Sequence, residues 1–265
     1  LKFSKTYILI LIISSFIIYE TSAQLPAQNY YKKSEWSYGG YFSYSIPKYN
    51  LNFNQLPGIP NCCPNFTNGE GSGINAGAVI EFRQLAYNHF RLKAGISLLS
   101  AYISQIEPEW IILNEKLSPA SFSHEIYASF FLISFEPVYK YSTPIGLSFI
   151  AGLNASFILS GNFEQKEILI KPDNQGTFNN GSRIRNEVSG KLNGTNSFLF
   201  SPLLGAEFDI KLDRFGSYIL TPSFNFYYGL NSIIESEQWN YVLFNMGLAL
   251  RMNPFKELSS PLEPK

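Results

Sequence analysis

The chain has 265 residues with 20 basic and 20 acidic side chains, and it is 45% hydrophobic and 16% aromatic. A balance this close to neutral gives no reason to expect nucleic acid as a partner, and beyond the opening segment no run approaches the roughly 18 apolar residues of a transmembrane helix. The length admits one domain and little else.

Lys2 and Lys5 precede an apolar run from Tyr7 to Ile18, which the small residues Thr21, Ser22 and Ala23 close. That is the pattern of a secretory signal peptide, residues 1–23, cleaved after Ala23. A membrane helix fits less well, because the run is only about 12 residues long and contains Ser14 and Ser15. A polar lead, residues 24–35, follows and is expected in the periplasm.

The first predicted strand is Trp36 to Pro47, where Trp36, Tyr38, Phe42, Tyr44 and Ile46 alternate with Ser37, Gly39, Ser43 and Ser45, and Tyr41 falls on the small face. The segment Lys48 to Gly73 is dense in Asn, Pro and Gly and reads as a long irregular loop. The second strand, Ile74 to Arg83, sets Ile74, Ala76, Ala78, Ile80 and Phe82 against Asn75, Gly77, Glu81 and Arg83. A short turn near Asn88 leads to the third, Phe90 to about Ser104, with Phe90, Leu92, Ala94, Ile96 and Leu98 opposite Arg91, Lys93, Gly95 and Ser97.

Residues 105–120 read as a second long connection. The fourth strand, about Phe122 to Tyr141, places Phe131, Ile133, Phe135, Pro137, Tyr139 and Tyr141 against Ser134, Glu136 and Lys140; Pro137 calls for a bulge or a non-bonded position. A tight turn at Ser142-Thr143-Pro144 enters the clearest strand of the chain, Ile145 to Ser160. Its odd positions are all apolar and its even ones mostly small or polar, a period of two held about three times longer than in an ordinary strand.

Residues 162–196 are polar and rich in Asn and Gly, a mobile loop with strand extensions possible at its base. The sixth strand carries Phe198, Phe200, Pro202, Leu204, Ala206, Phe208 and Ile210 opposite Ser201, Gly205, Glu207, Asp209 and Lys211. After a turn at Asp213–Gly216 the seventh sets Tyr218, Leu220, Pro222, Phe224, Phe226, Tyr228 and Leu230 against Thr221, Ser223, Asn225 and Gly229. The eighth sets Val242, Phe244, Met246, Leu248 and Leu250 against Asn245, Gly247, Ala249 and Arg251. The tail, residues 253–265, is Pro-rich and polar, a periplasmic linker or disordered end.

Connections after strands 2, 4 and 6 are short and those after 1, 3, 5 and 7 are longer. That sorting predicts an all-β fold, an eight-stranded antiparallel transmembrane up-and-down β-barrel over residues 36–252, with both termini in the periplasm and the long loops outside. A soluble lipocalin-like barrel would bury the apolar faces. Against it stand the strand lengths, the aromatics along every apolar face, and opposite faces rich in Gly, Ser and Asn where a soluble surface carries Lys and Glu.

With the apolar faces toward lipid, the lumen receives Glu81, Arg83, Arg91, Lys93, Glu136, Lys140, Glu207, Asp209, Lys211 and Arg251. An eight-stranded barrel is only wide enough for side chains to fill it, and buried charges of mixed sign persist when paired. A salt-bridged, closed lumen is expected; the sharper alternative is a narrow passage through that network for ions or small solutes.

Cys62 and Cys63 are the two cysteines, adjacent in the first loop. In an exported chain they can form a strained vicinal disulfide, the favoured reading, or an intermolecular bond, or stay free. Without nearby histidines they make a poor zinc site. His89 lies at a turn. Ser123, His124 and Glu125 have the residue types of a lipid hydrolase, yet adjacent strand residues point to opposite faces, so Ser123 and His124 are not simply a dyad. No phosphate loop, nucleophile elbow or metal-ligand spacing is present. No catalytic residue, metal or cofactor is expected.

Over residues 36–252 the chain resembles the N-terminal barrel of OmpA-type, porin-like outer-membrane proteins. The first loop, LPGIPNCCPNF followed by GEGSGINAGAVIEF, resembles a CC-containing loop of a subgroup of such barrels in Bacteroidetes-like bacteria. The resemblance implies an integral barrel with surface loops, set among outer-membrane lipid and lipopolysaccharide and inserted by the outer-membrane assembly machinery. Members of that subgroup often carry a peptidoglycan-binding domain after the barrel. This sequence runs about 13 residues past the eighth strand, so peptidoglycan contact is not expected. The last strand ends near Arg251 and Met252 and not on a terminal Phe, a departure from the usual assembly signal. The function expected is envelope integrity or surface contact through the loops. Removal of residues 56–66 is expected to spare folding.

Overall fold

The computed structural model describes residues 31–59, 64–113, 115–173, 175–178 and 180–257, and no helix occurs among them. The strands in chain order are β1 (Tyr31–Lys33), β2 (Trp36–Phe53), β3 (Phe66–Glu70), β4 (Gly73–Arg83), β5 (Asn88–Leu113), β6 (Lys116–Ser142), β7 (Leu147–Lys171), β8 (Ile184–Lys191), β9 (Phe198–Phe208), β10 (Ile210–Lys211), β11 (Tyr218–Tyr228), β12 (Gln238–Met252) and β13 (Phe255–Glu257). Residues 34–254 form one compact unit. Separately, β1 and β13 pair antiparallel, so the predicted polar lead and tail each contain a short strand.

Eight strands close a ring of antiparallel neighbours, β2–β4–β5–β6–β7–β9–β11–β12 and back to β2. Closure removes every edge within the ring, which is how a sheet satisfies its backbone groups without water. The turns at one end are tight. In the β6–β7 turn the Gly146 N–H donates to the Thr143 carbonyl at 3.1 Å, with Gly146 at φ 89°, a conformation that a side chain disfavours. Pro137 pairs with Leu92 across β5, while the β6–β7 ladder skips Glu136 and Pro137, which accommodates the missing N–H.

The outer face carries an apolar band of exposed side chains, among them Trp36, Tyr38, Phe90, Ile96, Tyr139, Phe149, Leu204 and Leu248. From Val242 to Met252 on β12 this band covers about 33 Å of strand, or about 25 Å along the axis at a tilt of about 40°, the height of a bilayer's hydrocarbon layer in such barrels.

At the long-loop end the alternation inverts. On β2 the outward residues are apolar up to Ile46; beyond it Lys48, Asn50 and Asn52 face out, while Tyr49, Leu51 and Phe53 turn in and are buried. On β6 the outward Phe131 gives way to Ser129, and Ile126, Ala128 and Phe130 are buried. On β7 a register shift opposite Phe131/Leu132 changes the phase, so that Phe163 points in and Asn162 and Glu164 point out. Apolar-out belongs to lipid and apolar-in to water, so the inversion marks where the barrel leaves the bilayer.

This inversion corrects the predicted loops. Residues 105–120 are not an irregular connection: β5 and β6 run on to the pair Leu113 and Lys116. Likewise β2 continues to Phe53, β7 continues to Lys171, and β8 pairs with β7. Polar residues in these segments signalled a loop, although they were the water-facing half of a strand. At the two ends of the segment expected to be removable, Leu56 and Phe66 are fully buried.

Candidate functional site

The lumen is filled in three layers. The lowest is a cluster of six charged side chains brought together by β4, β5, β6, the β9–β10 junction and β12. Arg91 donates to Glu81 from Nε at 2.8 Å and Nη2 at 2.6 Å, and from Nη1 to Glu207. Arg251 reaches Glu81 at 2.5 Å and Asp209 at 2.7 Å. Lys140 Nζ lies 2.6 Å from Asp209, 3.6 Å from Glu81 and 3.8 Å from Glu207. Thr221 Oγ1 donates to Asp209 at 2.7 Å, and His89 Nδ1 stands 3.2 Å from Glu81. Arg91 and Lys140 are 1% and 0% exposed, so the contacts they make to Glu81 and Glu207 are shielded from water, while Asp209 at the edge of the cluster is half-buried.

Above it, Glu136 accepts from Asn154 Nδ2 at 3.0 Å and from the Tyr227 hydroxyl at 3.2 Å. The Lys93 ammonium lies 5.5 Å from the centre of the Tyr41 ring. Tyr41 has its room because Gly95 sits beside it: a Cβ there would stand 2.5 Å from the hydroxyl. Next come small polar groups, with Asn245 and Asn75 donating to Ser43 and Ser45 and Ser97 bonded to Ser134 at 3.0 Å. Ser45, Asn75, Ser97, Ser134 and Asn245 line a cavity of about 50 Å³, room for a few waters.

The third layer is apolar. Trp239, fully buried, stacks on Phe53 at 5.5 Å and meets Phe130 edge-on at 5.9 Å. Leu51, Leu56, Phe66, Ile103, Ile126, Leu192 and Ile234 close around them. The plug therefore draws on β2, β3, β5, β6, β12 and three loops.

Of the ten charges predicted for the lumen, the structure buries Glu81, Arg91, Lys93, Glu136, Lys140, Glu207 and Arg251 and half-buries Asp209. Arg83 and Lys211 are exposed, which corrects their assignment. Both lie at strand ends, Arg83 as the last residue of β4 and Lys211 beyond the break at Asp209, where the wall no longer encloses them. With them removed, the predicted residues that the wall encloses are four cations and four anions, where the prediction had left an excess of cations. His89, expected at an open turn, is instead buried against Glu81. Its place on the inward face, two residues before Arg91, was the available signal.

Cys62 and Cys63 lie outside the described residues. Ser123 donates to Glu125 at 3.2 Å on the outer face, while His124 points inward with Nε2 3.7 Å from Glu107, so the histidine is held apart from the serine and glutamate beside it.

A family model described as "Outer membrane protein beta-barrel domain" matches residues 23–235. The chain belongs to this family. Membership places the barrel in the bacterial outer membrane and makes the apolar band its lipid contact. Compared by sequence with curated proteins, this barrel has no match. Solved structures to which it is similar include Ail, the attachment invasion locus protein of Yersinia pestis, at 11% identity over 83% of this chain and 100% of that one, with TM-score 0.33. Neisserial surface protein A is similar at 9% identity over 84% and 99%, with TM-score 0.35. The outer membrane protease OmpT from Escherichia coli is similar at 7% identity over 88% and 100%, with TM-score 0.29.

Proposed function

We propose that this outer-membrane barrel is a non-enzymatic surface-contact protein with a closed lumen, its long strands standing on the outside of the cell and its short turns in the periplasm. The observation that carries this reading is the pairing of a lumen blocked by a charge cluster at one level and an apolar plug at another with strands that outrun the bilayer. From Leu98 to Leu113, β5 continues for about 15 residues beyond the band, on the order of 50 Å along the strand and 35–40 Å along the axis. A passive channel would need a bore through the charge cluster and the apolar plug together. The chain is set among outer-membrane lipid and lipopolysaccharide and is inserted by the assembly machinery.

The test has two arms. Purified protein refolded in liposomes, its closure checked by a heat-modifiable gel shift, passes no more ions or small solutes than empty liposomes. Steady flux would refute the closed lumen. Cells carrying a chain shortened between Gln105 and His124 attach less to lipid-, glycan- or protein-coated surfaces than cells carrying the full chain; equal attachment on all three would remove the contact role.

A further inference from the structure

One part of the projecting arm breaks the rule that water-side strands turn polar residues outward. Past the polar stretch Ser100, Tyr102 and Ser104, the outward positions of β5 become apolar again at Ile106, Pro108, Trp110 and Ile112, and Leu117 pairs with Ile112 from β6. Ile106, Trp110, Ile112 and Leu117 are 59%, 65%, 77% and 66% exposed. The opposite face of this hairpin is packed: Ile111 and Phe178 lie against the small core of Ala120, Phe122 and Leu169. Arg183 fixes the adjoining β7–β8 connection by donating to the carbonyls of Leu169, Ile170, Pro172 and Gln175. The tip is thus a supported platform with one bare apolar side.

We infer that this side, centred on Trp110, Ile112 and Leu117, inserts into the interface of a second, apposed zwitterionic phospholipid bilayer. The inference deepens the surface-contact reading and rests on it. Area argues against a protein partner here. The bare side chains offer on the order of 400–500 Å², about half of the roughly 800 Å² per partner in a stable protein interface. Charge argues for a zwitterionic surface. The outward positions from Ile106 to Ile112 and from Leu117 to Ser123 carry no charge, Glu107 and Glu109 fall on the other face, and the flanking charges are few and of mixed sign, Glu115 and Lys116 at the turn and Lys171 beside Ser121. Depth agrees too. Trp110, Ile112 and Leu117 all lie within about three residue pairs of the turn, roughly 10 Å, the depth to which apolar side chains sink at a headgroup boundary. Trp is the side chain most suited to that boundary.

The experiment uses the full chain in nanodiscs, mixed with separate phosphatidylcholine vesicles and floated on a density gradient. The wild type floats with the vesicles, and the triple variant Trp110→Ser, Ile112→Ser, Leu117→Ser loses at least about tenfold in partition. In a Trp36→Phe background, vesicles with brominated acyl chains quench Trp110 emission while buried Trp239 keeps its own. Equal gel shifts for wild type and variant establish that both are closed barrels. A wild type that stays unbound, or a triple variant that binds as well, overturns the lipid assignment. So does light scattering that finds a dimer lost in the triple variant, which would make the patch a protein interface. If vesicles are not bound but the shortened arm still reduces attachment of cells, surface contact survives and the lipid assignment alone falls. If neither responds, both fall.

Discussion

Arg91→Met tests whether the lumen cluster holds the barrel together. Arg91 is almost wholly buried and gives Glu81 two hydrogen bonds and Glu207 one. Methionine keeps the apolar stem and removes the charge. Glu81 retains Arg251 at 2.5 Å, His89 at 3.2 Å and Lys140 at 3.6 Å. Among the described residues Glu207 retains Lys140 at 3.8 Å, which is too long for a hydrogen bond, and the charge of Lys93 further off, so it loses its one hydrogen-bonded cation. The damage therefore falls on Glu207. Breaking a buried pair from one side costs about 3–5 kcal/mol, because the other charge is left uncompensated. Adding Glu207→Gln removes the stranded charge and recovers about 1–3 kcal/mol of that loss. The two changes are strongly coupled, as a double-mutant cycle would register. The assay is urea unfolding of the refolded barrel in detergent, followed by the heat-modifiable gel shift. A loss below about 1 kcal/mol in Arg91→Met, or a second substitution that adds its own loss and recovers nothing, would refute the reasoning.

Trp239→Ala removes the centre of the apolar plug and lowers stability by about 3–5 kcal/mol in the same assay; an unchanged midpoint would mean the plug does not support the wall. At the short-turn end Asp213 accepts the Tyr218 N–H at 2.8 Å and the Phe215 N–H at 3.1 Å. The first of these bonds is the main cause holding its carboxyl below the ordinary Asp value. A depressed folded value means the contribution is present above the ordinary range and fades as pH falls through the lower folded one. The Tyr218 amide should therefore lose hydrogen-exchange protection in strong acid, relative to other amides, and lose it at every pH in Asp213→Ala, which has no acceptor to offer; equal protection in that variant at neutral pH would reject the contact.

The ring was legible because the bilayer imposes one rule on every strand in it. Period-two alternation with apolar residues on one face located all eight strands, and seven of the ten lumen charges followed from the opposite face with an eighth half-buried. What was missed lies where that rule stops. Lys48, Asn50 and Asn52 continue β2 in the same phase of backbone as Tyr44 and Ile46, but their polarity is reversed because the solvent outside has changed. A search for apolar residues on the lipid side ends at Ile46, although the strand does not. Arg83 and Lys211 were misplaced for the converse reason. They keep the right parity, but parity gives direction and not depth, and both lie where the wall ends.

The inversion itself can be tested, because one substitution should behave oppositely on its two sides. Ile96 and Ser104 are both exposed, both on β5 and both on its outward face. Ile96 lies within the apolar band, one outward position from its edge at Leu98, where a lysine faces hydrocarbon at a depth between midplane and interface and costs about 1–2 kcal/mol. Ser104 lies beyond the inversion, where the same lysine faces water and changes stability by less than about 0.5 kcal/mol. Ile96→Lys and Ser104→Lys, compared by urea unfolding in lipid vesicles, should therefore separate by about 1 kcal/mol or more, and the gap should shrink in a short-chain detergent that does not impose a fixed thickness. Equal losses in vesicles would mean that the hydrocarbon reaches past Ser104. In that case Ile106, Trp110 and Ile112 would be ordinary lipid-facing residues, and the platform at the tip of the arm would lose the polar interval that sets it apart.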